Sequence, residues 1–214
     1  MGQYYTPTLI SEDGSIRTLY SRAYDNGLKL MEHSYIGNNF VNAVSTLIWQ
    51  TPCRVAWIGD YSDTEQGDLY ESKLTHEDFM QYYAAAWSEN RDELRVKPES
   101  RNILTLKSNR KYLVNHTQRT YLHMGEYIAA NKWTEQGSFV RGHYAPLVTY
   151  DMCIHPLPLL TACGNDRGGG DYHEGHPGYD LVGCWAFDLI EITGKRPRDY
   201  QKLDICFSEQ EAAA

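Results

Sequence analysis

The sequence predicts an α+β domain, a curved and mainly antiparallel sheet with about three helices on one face. Three observations predict it. Short β-rich runs come in pairs across tight polar turns. A few segments carry apolar residues at helical spacing. Neither a strand–helix–strand rhythm nor a repeat of fixed period occurs, which argues against doubly wound and solenoid architectures. The chain has 214 residues, ample for one core. Residues 1–211 read as a single elaborated domain and Ala212–Ala214 as a cloning remnant.

The elements follow in order. Tyr4–Ile10 and Ser15–Tyr20 flank Glu12-Asp13-Gly14 and predict a hairpin. Gly27–Glu32 alternates and predicts a short strand. Asn38 and Asn39 offer an N-cap, and Phe40, Val41, Val44, Leu47 and Ile48 mark a helix over 39–50, which Pro52 stops. Arg54–Ile58 predicts a strand closed by Gly59-Asp60. Residues 62–73 are polar and read as loop. Thr75 through Asp78 resembles a capping box opening a helix to about Trp87, with Phe79, Tyr82, Tyr83, Ala86 and Trp87 facing inward. Residues 88–102 are charged and read as a solvated connection. Tyr112–Val114 and Thr120–His123 flank another hairpin turn. Residues 125–152 fit no single element, because Gly137, Gly142 and Pro146 interrupt them. Pro156–Cys163 predicts a short apolar helix ended by Gly164. Leu181–Ile192 alternates like a central strand with Trp185 or Cys184 buried.

Composition narrows the function classes. A net charge of −8 argues against direct nucleic-acid binding, which needs clustered Lys and Arg. It leaves room for a basic host protein as partner. Five cysteines without a CxxC pair suit a reducing, cytoplasmic location and argue against a zinc knuckle. No apolar run reaches the roughly 20 residues of a membrane span, so no membrane partner is expected. Tyrosine is over-represented, 17 against 5 Phe, and suits half-buried strands and binding rims.

The block Gly164-Asn165-Asp166-Arg167-Gly168-Gly169-Gly170-Asp171-Tyr172 is the chain's most unusual feature. Consecutive glycines are kept where backbone turns tightly or approaches something closely. The functional reading is an anion cradle, with the backbone of Gly168, Gly169 and Gly170 as a nest and Arg167 as a clamp. The bland alternative is a turn with Arg167 paired to Asp171. Neither a P-loop nor a dinucleotide fingerprint fits, so no cofactor is expected.

Other candidates are weaker. Asp171, His173, Glu174 and His176 are metal-ligand types, but no helix fixes their spacing, and no metal is expected. Cys163 at a helix end would lack the positive surroundings a thiolate needs. Asp60 and Asp63 follow a buried strand, where Asx-turn capping explains them as well as ligand binding does. His33 reads equally as a satisfied core residue or a pocket base.

Several blocks together resemble an uncharacterised group of short bacterial and phage-borne proteins. They are Met1–Tyr5, Gly27–Glu32, Val55–Asp63, and Gly164–Tyr172 followed by Val182–Ala186. The resemblance covers about a quarter of the chain and implies a shared scaffold and pocket, but no activity. The reading that follows is a binder of a small anionic, nucleotide-like ligand, with use in sequestering a signal nucleotide. Arg167, Gly168, Gly169, Gly170 and Asp171, with Asp60 and Trp185, are its expected site. Two alternatives stay open, an acidic anti-defence inhibitor of another protein, and a hydrolase using Asp60, Asp171 or His173.

Overall fold

The computed structural model describes residues 3–62, 73–88, 97–137, 148–164 and 172–207. Ten strands are seen among them: β1 (Tyr5–Ile10), β2 (Ile16–Thr18), β3 (Cys53–Gly59), β4 (Tyr112–Asn115), β5 (Thr120–His123), β6 (Trp133–Gly137), β7 (Val148–Met152), β8 (Ala162–Cys163), β9 (Leu189–Thr193) and β10 (Gln201–Lys202). Five helices accompany them: α1 (Leu30–His33), α2 (Asn39–Leu47), α3 (His76–Trp87), α4 (Met124–Asn131) and α5 (Pro156–Leu160). Eight strands form one open sheet in the order β10-β5-β4-β9-β3-β1-β2, with β8 paired to β3 beyond the end of β9. All its ladders are antiparallel except β10–β5 and β3–β8. The predicted α+β class therefore holds.

β3 organises the sheet. Its alternate residues divide between two cores, as a period of two requires. Val55 and Trp57 join the main core with Leu9, Phe40, Leu113 and Leu160. Ala56 and Ile58 face the other side, where Phe79 and Ala86 of α3 cover them. Helices thus lie on both faces: α1, α2, α4 and α5 contribute to the main core and α3 to the smaller one. The expectation of helices on one face is corrected accordingly, because β3 is apolar on both faces and each must be covered.

The caps explain where the helices begin. Asn38 accepts from the backbone N–H of Phe40 and Val41, and Thr75 Oγ1 accepts from Asp78 N. Both hairpins form at the predicted places. Gly27–Glu32 is not a strand: Lys29 makes only an isolated bridge to Tyr4, and Leu30 opens α1. Its Glu32 carboxylate accepts from Lys29 N at 2.9 Å and closes that first turn. The ambiguous stretch after 124 resolves into α4 and a separate β6–β7 hairpin.

Leu181–Ile192 departs most from expectation. Only Leu189–Thr193 is strand. Before it, N–H groups of Cys184, Ala186 and Asp188 each reach back three residues, so the chain advances in turns. Gly183 and Phe187 have φ of 77° and 62°, values no strand contains. The segment fills the notch that β3 leaves between β9 and β8: Trp185 N donates to Leu160 O and Phe187 N to Val55 O. Trp185 enters the main core and Phe187 the other. Apolar side chains therefore point both ways, and a run of turns mimics strand alternation. β9 itself is central, between β4 and β3, as predicted.

Candidate functional site

The block Gly164–Tyr172 begins at one end of the sheet. The parallel β3–β8 ladder matches Trp57 with Ala162 and Ile58 with Cys163. Gly59 and Gly164 therefore leave the sheet side by side, in the same direction. On the other side of β3, Tyr5 is opposite Gly59. Gly164, the Gly59-Asp60-Tyr61 turn and the segment from Gln3 to Tyr5 meet here, although they are far apart in sequence.

Gln3 holds the junction together. It is 2% exposed, and Tyr5 Oη donates to its Oε1 at 2.8 Å. A methyl group at Gly59 would sit 2.5 Å from Gln3 Cδ and Nε2. One at Gly164 would overlap Gln3 Oε1 and the Tyr5 hydroxyl. These two positions are glycine because the Gln3 amide lies across them, a case of close approach rather than of turn geometry. Among the described residues Gln3 Nε2 has no hydrogen-bond partner, so this end of the sheet holds a buried donor.

Asp60 is half-buried. Its Oδ1 accepts from Tyr4 N, and its own N–H donates to Tyr4 O, both at 3.0 Å. Tyr83 of α3 donates to Asp60 O at 2.9 Å. The Asp60 side chain thus pins the N-terminal strand, while Tyr4 and Tyr61 beside it are 42% and 41% exposed. The Gly27–Glu32 block joins the same end through Tyr5 N donating to Leu28 O at 2.9 Å.

The remaining expected site residues are placed as follows. Trp185 is 0% exposed, enclosed in the main core, and presents no surface for stacking. Arg167, Gly168, Gly169, Gly170 and Asp171 lie outside the described residues. Tyr172, the far end of their block, is anchored: its hydroxyl donates to Phe207 O at 3.2 Å and to Pro177 O, and its ring stacks on His176. His173 and His176 have ring centroids 4.2 Å apart. Among the described residues no three His, Cys, Asp or Glu side chains converge as a metal site would require.

Cys163 belongs to β8, not to a helix end, because α5 stops at Leu160. Burial pushes its thiol up to about 12 against a smaller opposing effect of Lys73, so it is a packed thiol, not a nucleophile. His33 is a satisfied core residue. Trp57 Nε1 donates to its Nε2 at 3.1 Å, its Nδ1 is 3.2 Å from Gly27 O, and burial lowers it to about 4. The imidazole is therefore neutral, with its proton on Nδ1.

Sequence reasoning missed a second polar centre. Asp188, 1% exposed, pairs with Lys73 at 3.0 Å and accepts from Asn115 Nδ2 and Gln118 Nε2 at 2.8 and 2.7 Å. Lys73 also donates to Ala186 O at 3.0 Å. This network fixes the 182–188 turns to the β4–β5 hairpin. A cavity of about 190 Å³ lies elsewhere, between α4 and the segment around β10, lined by His123, Glu126, Tyr127, Lys202, Asp204 and Cys206 among others. Neither Asp60 nor Trp185 lines it.

Comparison with known proteins adds no assignment: no family model, curated protein or solved structure matches this chain. No described helix is long and apolar enough to cross a membrane.

Proposed function

We propose that the chain binds a small anionic, nucleotide-like ligand at the end of the sheet where β1, β3 and β8 meet. One observation carries this reading. The parallel β3–β8 pairing brings the start of the glycine block next to the Gly59-Asp60-Tyr61 turn. Adjacent parallel strand ends are where open sheets commonly receive ligands, an argument by analogy. Arg167 and the backbone of Gly168 to Gly170 hold the anion in this proposal. Exposed Tyr4 and Tyr61 stack on the base in this proposal, since burial puts Trp185 out of reach. Cytoplasmic sequestration of a signal nucleotide, in a bacterial or phage setting, is the use such a binder would serve.

Scanning fluorimetry against a nucleotide panel, with inorganic phosphate as the minimal anion, tests the proposal. Ligand at a hundred times its Kd stabilises by about 2.7 kcal/mol. For a chain of this size that raises Tm by roughly 5–10 °C. Arg167→Ala should abolish the shift and leave the unliganded Tm unchanged. No shift with any panel member would refute the reading.

A further inference from the structure

Away from that sheet end, three titratable side chains from separate segments meet. His116 stands in the β4–β5 turn, Glu191 on β9 and Tyr200 just before β10. His116 Nε2 is 2.9 Å from Glu191 Oε2, and Nδ1 is 3.0 Å from Tyr200 Oη. The imidazole and the carboxylate are 25% and 16% exposed, so the group is half-buried and still reachable. Its base and acid sit on a rigid frame: His116 N donates to Leu189 O at 2.8 Å, and β4 pairs with β9 throughout.

The chemistry of the donors fixes the direction of the relay. An ionised carboxylate only accepts, so the Nε2 beside Glu191 carries the proton. In the neutral imidazole Nδ1 is then the acceptor, and Tyr200 must be the donor. The phenolic proton therefore points at a base whose far side is held by an acid. This is the arrangement by which an imidazole activates a hydroxyl nucleophile.

Two further features mark the place. The Arg119 guanidinium lies 5.5 Å from the centre of the Tyr200 ring, and its Nη2 donates to Asp199 O at 3.2 Å. Arg119 and Asp199 both hold positive φ, 55° and 60°. Such backbone in non-glycine residues is uncommon, and it collects at functional sites.

We propose that Glu191, His116 and Tyr200 form a hydroxyl-activating relay, with Tyr200 Oη as a nucleophile toward tetrahedral phosphoryl-class electrophiles. Tyr200 O attacks phosphorus and an O–P bond forms. The bond to the leaving group breaks and that group takes the electron pair. The phenolic proton passes to His116 Nδ1, and Glu191 steadies the imidazolium. Arg119, over the Tyr200 ring, supplies positive charge to this side of the site. The site is independent of the anion site proposed above.

An aryl sulfonyl fluoride tests this on the full chain, because it presents a tetrahedral centre with fluoride as leaving group. The O–S bond forms, the S–F bond breaks, and the proton goes to His116. Site-resolved mass spectrometry compares Tyr200 with Tyr4, Tyr61 and Tyr150, which are more than 40% exposed and serve as internal references. General-base assistance is expected to make Tyr200 react at least ~10-fold faster than these three. Glu191→Gln, checked for an unchanged melting curve, should return Tyr200 to the reference rate, because the amide can donate to Nε2 and invert the tautomer. Equal rates for Tyr200 and the references would overturn the proposal, with no variant needed. An undiminished Tyr200 rate in a folded Glu191→Gln protein would overturn it as well, leaving the three groups as a structural tether.

Discussion

Lowering the pH should unfold this protein through two histidines that cannot accept a proton where they stand. His33 and His155 are 0% and 1% exposed. Burial lowers them to about 4 and about 3, from 6.5. His155 Nδ1 accepts from Leu157 N at the start of α5, and its Nε2 faces Ser45 Oγ at 3.5 Å, so its surroundings also suit the neutral ring. In the unfolded chain both imidazoles take up protons below about 6.5, whereas in the folded chain they do not. The stability they confer is complete above that value and is lost as pH falls toward the folded pKa. At about 1.4 kcal/mol per pH unit, the drop from 6.5 to 4 removes about 3 kcal/mol for each histidine. Together that is a large part of the 5–15 kcal/mol that holds a typical domain. Urea titrations at pH 7, 5.5 and 4 would measure the loss. His33→Gln can still accept from Trp57 and cannot gain charge. It should lower stability at pH 7, yet flatten the pH dependence by about 3 kcal/mol between 6.5 and 4. An unchanged slope in that variant, or NMR titration of either imidazole near 6.5, would refute the reasoning.

Three more expectations follow from packing and pairing. Gly164→Ala puts a methyl group into the Gln3 amide and the Tyr5 hydroxyl. It should cost about 1–3 kcal/mol in a thermal melt, with a smaller loss if the Gln3 amide rotates away. Lys73→Ala removes the ammonium from the buried Asp188 carboxylate and leaves it, among the described residues, with Asn115 and Gln118. A loss of about 3 kcal/mol in denaturant titration is expected, and Asp188→Asn in the same background should recover part of it. Burial raises Cys53, Cys153 and Cys163 to about 12, while Cys206 is exposed. A thiol reagent should therefore modify Cys206 first, with the three buried thiols reacting only as fast as the protein unfolds.

Local signals in the sequence located most elements. Asn38 and Thr75 announced α2 and α3 because a cap is a property of four adjacent residues. The two hairpins were legible for the same reason. What failed was long-range. The 182–188 turns carry strand-like alternation because they separate two cores, and only β3 and β8 reveal that there are two. Gly164 reads as a helix cap, yet it is glycine because of Gln3, 161 positions earlier. The candidate site was half legible. Asp60 and the glycine block stood out by composition, but the placing of Gly164 beside Gly59 depends on a two-residue parallel ladder with no local signature. His116, Glu191 and Tyr200 carried no signal at all, since each is an ordinary residue until the sheet brings them together.

The anchoring of Tyr172 has a consequence in time. Its hydroxyl is held by the carbonyl of Phe207, 35 residues further on. Phe207 is in turn fastened by Asn131 Oδ1, and the same asparagine amide donates to Ile205 O. At the usual 5–20 residues per second of synthesis, roughly 2–7 s pass between the appearance of Tyr172 and that of its clasp. During that interval Tyr172 has the Pro177 carbonyl and the His176 ring beside it but lacks the bond to Phe207 that ties it to α4 through Asn131. A nascent chain arrested before residue 205 would carry β1, β3 and β8 complete and the clasp on Tyr172 unfinished. The site proposed for the anion would then be among the last parts of the protein to mature.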